Sequence, residues 1–160
     1  MGRFPSEVEA VLRSAGWSEG RQVTELSEQA IQDVCAQASA DGTRHAPFRA
    51  AEQALAEFAG LFVFQDQPGV ALRRRPFALD PVMAAATAST LADFARVLGS
   101  ALFPLGVEGN GEAVLAIDER GRVFALDYAG EWFLGEGLDA ALTTLISGTS
   151  PPRVRDDGTW

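Results

Sequence analysis

The side chain with the widest chemical range here is His45, the one histidine among 160 residues. Imidazole titrates near neutral pH and can act as a general base, a proton shuttle or a metal ligand. Each role needs company, either a carboxylate to orient the ring, a nucleophile to activate or a second ligand. The run Gly42-Thr43-Arg44-His45-Ala46-Pro47 places no acid beside it, so His45 reads as a plain surface histidine in a loop between helices. Cys35, the one cysteine, falls on the apolar stripe of a helix, where a free thiol behaves as a small hydrophobe rather than a nucleophile. One cysteine permits no internal disulfide and no multi-cysteine zinc site. No metal-ligating set and no cofactor site emerges.

Gly109-Asn110-Gly111 has the composition of a phosphate-binding glycine loop, but such loops lead into a helix whose amides face the anion. A strand pattern follows here, which makes it a turn. Arg73-Arg74-Arg75 is the single basic run. If it lies in a strand, alternate arginines point to opposite faces and no continuous phosphate track forms, leaving solvated charges at a sheet edge. Carboxylates are plentiful, so a hydrolase built on a carboxylate pair stays open on count alone. No two of them stand in an apolar setting that would raise one pKa. Asp118-Glu119, before Arg120-Gly121, is best explained as turn chemistry.

The elements that would position these groups follow from periodicity. Ser6 and Glu9 form a capping-box pattern ahead of Val8, Val11, Leu12 and Ala15, predicting a helix over 6–15 that Gly16 stops, with Trp17 folding back on its apolar face. Ile31, Val34, Cys35 and Ala38 predict a second helix over 24–40. Phe48, Ala51, Leu55 and Phe58 predict a third, ending at Gly60. Leu61-Phe62-Val63-Phe64 and Val70-Ala71-Leu72-Arg73, separated by Asp66-Gln67-Pro68-Gly69, predict a hairpin. Asp80-Pro81 opens a further helical region with a break near Ser89, running through Leu91, Phe94, Val97 and Leu98 to Gly99. Strands then dominate. Leu102–Gly106 is an edge or a bend because of Pro104, Ala113–Ile117 is buried, Arg122–Leu126 returns antiparallel, and Trp132-Phe133-Leu134 adds one more. A last helix is expected near 137–147. Residues 1–149 thus make one domain and 150–160 a loose tail in which Trp160 is able to dock. The class is α+β: N-terminal helices and a C-terminal helix packed on a mainly antiparallel sheet.

The formal charge is −9, from 13 basic residues, all arginine, against 22 acids. That balance disfavours nucleic acid and anionic lipid and favours a basic protein partner. No apolar run approaches the roughly 20 residues of a membrane span, and the N-terminus lacks the features of a secretory signal, so a cytoplasmic location is expected. The charge is uneven: residues 107–139 hold eight acids against Arg120 and Arg122, a net −6. Tyr128 and Trp132 are interleaved with those acids, and aromatics within charged surfaces anchor protein interfaces. Glu131 and Trp132, then Tyr128 and Asp127, are the candidate partner-binding residues.

Five separated motifs add a resemblance. Ala15-Gly16-Trp17 with Gly20-Arg21, Phe58-Ala59-Gly60-Leu61, Asp80-Pro81, Phe103-Pro104-Leu105-Gly106 and Ala116–Phe124 occur in the order and spacing of the third subgroup of the SUKH superfamily, over about residues 5–147. The chain departs mildly from that pattern at Ala59, where the family usually has glycine, and at Phe124, often tyrosine. The resemblance implies helices on a mainly antiparallel sheet. It also implies a non-enzymatic immunity protein that neutralises a cognate polymorphic toxin, often a nuclease. A general regulatory binding module on the same scaffold is the alternative. Arg21 and Asp118 are candidates for a structural pair.

Overall fold

The computed structural model describes residues 2–160. Among them the chain forms, in order, α1 (Ser6–Ser14), α2 (Thr24–Ala36), α3 (Arg49–Phe58), β1 (Phe62–Val63), β2 (Phe77–Ala78), a 3₁₀ segment (Pro81–Thr87), α4 (Ala88–Leu98), β3 (Leu102–Glu108), β4 (Ala113–Asp118), β5 (Val123–Asp127), β6 (Gly130–Gly135) and α5 (Leu138–Ser147). The six strands stand side by side in chain order, every neighbouring pair antiparallel. The α+β class expected from the sequence is the one observed.

Strand alternation divides the apolar residues between two faces. Leu115, Ile117, Val123, Ala125 and Leu134 point to the face covered by Val8 and Leu12 of α1, Leu55 and Phe58 of α3, and Leu142 and Ile146 of α5. Leu102, Ala116, Phe124 and Leu126 point the other way, to Leu91 and Phe94 of α4 and to Val154. Phe124 is fully buried there, edge-on to Phe94 at 5.4 Å and to Trp160 at 5.7 Å.

Several local expectations need correcting. Ser6 makes no side-chain cap. It is the first helical residue, preceded by Pro5, whose carbonyl accepts from Glu9 N at 2.9 Å. The second helix stops at Ala36 because Gln37 is already extended and Ala38 bridges to Arg44. The hairpin of 61–64 with 70–73 does not form: β1 pairs with β2, through Phe62 opposite Ala78 and Val63 opposite Phe77. Burial decides this, since Val63 and Phe77 both enter the main core while Val70 and Leu72 stay exposed. The break expected near Ser89 falls just before it, where the 3₁₀ segment gives way to α4. Leu102–Gly106 bends at a register shift between Pro104 and Gly106, but β3 is an interior strand. β2 reaches only Val107 and Glu108, so the missing donor of Pro104 breaks no ladder.

Residues 150–160 are not loose. Pro152 O accepts from Phe133 N at 2.9 Å and Val154 N donates to Glu131 O at 2.8 Å, laying the segment along the free edge of β6. Val154 is buried, and Trp160 stacks on Phe133 at 4.3 Å. Two apolar side chains and an open edge provide the driving force that composition alone conceals.

Candidate functional site

Antiparallel order brings the end of β1, the β3–β4 turn and the β5–β6 turn to one end of the sheet, since Val63 lies opposite Phe77, Phe77 opposite Glu108 and Glu108 opposite Ala113. The loop from β1 to β2 also starts and returns here. Between that loop, the strand ends and the C-terminus of α5 lies a cavity of about 310 Å³, lined among others by Leu72, Arg75, Glu108, Asp127, Trp132 and Leu145.

Its polar groups are partly paired. Arg75 Nη2 donates to Glu108 Oε1 at 2.9 Å and Arg73 Nε to Asp66 Oδ1 at 2.8 Å. Burial pushes the Glu108 carboxyl up from its ordinary range. Arg75 pulls it back, and the nearby charges of Asp127 and Glu112 push it up again. Three carboxylates therefore share this end of the molecule. Asp127 Oδ1 accepts from Ala129 N at 2.7 Å and shapes the turn, whose tip carries Tyr128 fully in solvent. Trp132 stands half-buried on the cavity wall with the Arg153 guanidinium 5.9 Å from its ring. Arg153 also donates to Ala129 O at 2.6 Å. It packs so closely on Gly130 that a Cβ there would meet Nη2 at 2.8 Å.

The structure thus brings Asp127 and Trp132 to one cavity, with Tyr128 on the adjoining turn. Glu131 faces the other way: it lies opposite Leu126, and Trp132 opposite Ala125, so pleating sends the two side chains to opposite faces. The arginine run does not lie in a strand. It lies in a loop, and Arg73 and Arg75 reach separate carboxylates. A basic run within reach of an acidic region is the signal that identifies this loop as part of the same site.

The other reactive groups serve the fold. His45 is buried at 6% exposure, not on the surface. Its Nε2 lies 3.1 Å from Ala85 O, and its ring packs edge-on against Phe103. Burial lowers its pKa, against the opposing effect of the backbone carbonyls of Ala85 and Ala84. Burial raises the Cys35 thiol. Arg21 and Asp118 are not partners: Arg21 donates to the carbonyls of Glu57 and Ala59, and Asp118 pairs with Arg122 at 2.7 Å. Among the described residues no group of three or more His, Cys, Asp or Glu side chains could hold a metal ion, and no helix is long and apolar enough to cross a membrane.

An antiparallel sheet with helices on both faces and a cavity at one open end defines an α+β domain. The family model of the SUKH-3 immunity proteins matches residues 4–148, and the chain belongs to that family. No curated protein and no solved structure matches the chain. Membership implies an immunity function, a non-enzymatic role and, in general, a toxin as partner.

Proposed function

We propose that the protein acts in the cytoplasm as a stoichiometric inhibitor of a cognate bacterial polymorphic toxin, a nuclease with a basic domain, whose active site or substrate groove it covers. The family match over residues 4–148 carries this reading. Charge supports the choice of toxin: a nuclease must attract polyphosphate with a basic groove, and an inhibitor of net charge −9 complements it. Attraction at long range speeds encounter, and aromatic anchors slow release. Asp127, Tyr128, Glu131 and Trp132 are the proposed contacts, with Asp127 and Trp132 acting through the cavity wall and Tyr128 through the turn tip.

Co-expression with a candidate toxin drawn from the neighbouring genes tests the function, scored by cell rescue and by co-purification of a complex. Rescue without a stable complex weakens direct inhibition. The placement is tested separately with Trp132→Ala combined with Glu131→Arg. A large loss of affinity with the fold intact is expected, and unchanged affinity shows that the toxin docks elsewhere.

A further inference from the structure

We propose that the open edge of β1 is a self-association surface, on which a second copy of this chain continues the sheet by pairing its own residues 62–64 antiparallel to these. The inference goes beyond the toxin reading and uses none of the residues that line the cavity.

The two edges of the sheet differ. β6 is covered by the chain's own residues 152–154, whereas β1, at the opposite edge, has no strand beside it among the described residues. In the β1–β2 ladder Phe62 stands opposite Ala78 at a position that exchanges no hydrogen bonds, since Leu79 N donates past it to Leu61 O at 2.9 Å. The N–H and C=O of Phe62 therefore point away from the sheet. Burial alternates through this run, with Leu61, Val63 and Gln65 buried and Phe62 and Phe64 exposed. The chain thus stays extended to Phe64, whose backbone groups face the same open side. Neither residue's backbone finds a partner among the described residues.

Edge strands are ordinarily protected by charge, proline or a bulge, and residues 61–65, Leu-Phe-Val-Phe-Gln, carry no charge and no proline. Phe64 is 87% exposed and Phe62 43%, their rings stacked at 6.5 Å. Beside the edge runs a groove of about 360 Å³, walled by Ala10, Val11, Ser14 and Ala15 of α1.

Symmetry and area select a second copy. A two-fold axis through Val63 sets Phe62 of each copy opposite Phe64 of the other. Both are outward-facing positions, so the two pairs exchange four N–H···O bonds, and the four rings meet on one face as cross-strand aromatic pairs. At roughly 200 Å² per ring, the exposed fractions give about 260 Å² of aromatic surface per copy, or about 500 Å² in the pair. A foreign strand would have to bring matching rings, whereas a copy supplies them through the two-fold. With the strand backbones and the groove wall added, the contact has the scale of a weak, reversible interface, at or below about 1,200 Å². Charge neither helps nor forbids it locally, because the residues of the groove and edge are uncharged. The −9 of each copy repels only through a field that salt screens.

The test is sedimentation of the full chain from low micromolar to millimolar concentration, with hydrogen exchange read at the amides of Phe62 and Phe64. The wild type is expected to pass from monomer to dimer and no further, since a two-fold contact closes on itself. Both amides should exchange more slowly as the dimer fills. Raising salt from about 50 to 500 mM should strengthen the dimer by screening its like charges. F62S/F64S is expected to weaken it about tenfold or more, each substitution counting twice. Should that variant misfold, Phe64→Ser alone, at the more exposed ring, should still weaken it. A wild type that is monomeric at every concentration overturns the proposal. So does a dimer that both variants leave unchanged, one that salt dissociates, or one in which the two amides exchange as in the monomer. A monomeric wild type whose affinity for the candidate toxin falls in F62S/F64S assigns the edge to an extended toxin segment and overturns the second copy, with the immunity reading left standing.

Discussion

Asp118 illustrates how a residue suited to chemistry is committed to structure. Its carboxylate is wholly buried, where it accepts from the backbone N of Arg120 at 3.1 Å, the backbone N of Arg122 at 2.8 Å and Arg122 Nε at 2.8 Å. It closes the β4–β5 turn with both oxygens engaged. Asp118→Ala strands the Arg122 guanidinium and is expected to cost about 3 kcal/mol in denaturant unfolding. His45 carries the second prediction at this scale. Its folded-state pKa lies below the ordinary 6.5 because the ring is buried, so below that pH the unfolded chain binds the extra proton more readily. The stability contributed by the neutral ring is complete above about pH 6.5 and declines as pH falls toward the folded-state value. Melting temperatures from pH 7.5 down to 5 should fall for the wild type, and less steeply for His45→Gln.

Among the elements, the C-terminal segment does most to change the picture of the sheet. It hydrogen-bonds the β6 edge and adds Val154 and Trp160 to the cluster around Phe124. Truncation after Ser150 should uncover that edge and the Phe133 face together. About 3 kcal/mol of stability should be lost, and concentration-dependent association should appear in light scattering. A truncated chain that melts like the wild type would show that β6 needs no cover. The N-terminus is fastened differently. Arg3 bridges Glu57 of α3 and Asp139 of α5, at 2.7 Å and 2.6 Å, joining elements remote in sequence.

For the molecule as a whole, the unbalanced charge and the proposed aromatic contacts belong to different stages of binding. The field of a −9 molecule acts before contact, so the association rate with a basic toxin should fall about tenfold or more between roughly 50 and 500 mM salt. The dissociation rate should change little over the same range if Tyr128 and Trp132 form the buried centre. Stopped-flow measurement at several salt concentrations separates the two. A salt-independent association rate contradicts steering.

Features fixed by turn chemistry and apolar spacing over a few residues were for the most part readable before any fold was known. The β4–β5 hairpin was legible because Asp118–Gly121 is a turn between two apolar runs that meet across it. The apolar spacing of α1, α3 and α5 placed those helices, and the motifs spread over residues 5–147 carried the family. Of the candidate site, Asp127, Tyr128 and Trp132 were legible from aromatics set among acids. Strand alternation sends the adjacent Glu131 and Trp132 to opposite faces of β6. The partner of β1 was settled by long-range packing, since the local turn at 66–69 competed with a distant strand and the burial of Val63 and Phe77 chose the strand. The same holds for the burial of His45 against Phe103, the docking of Trp160 and the hydrogen bonds of residues 70–72 to the end of α5. Each depends on a surface assembled from segments far apart in the chain, and a surface of that kind exists only once the sheet has formed.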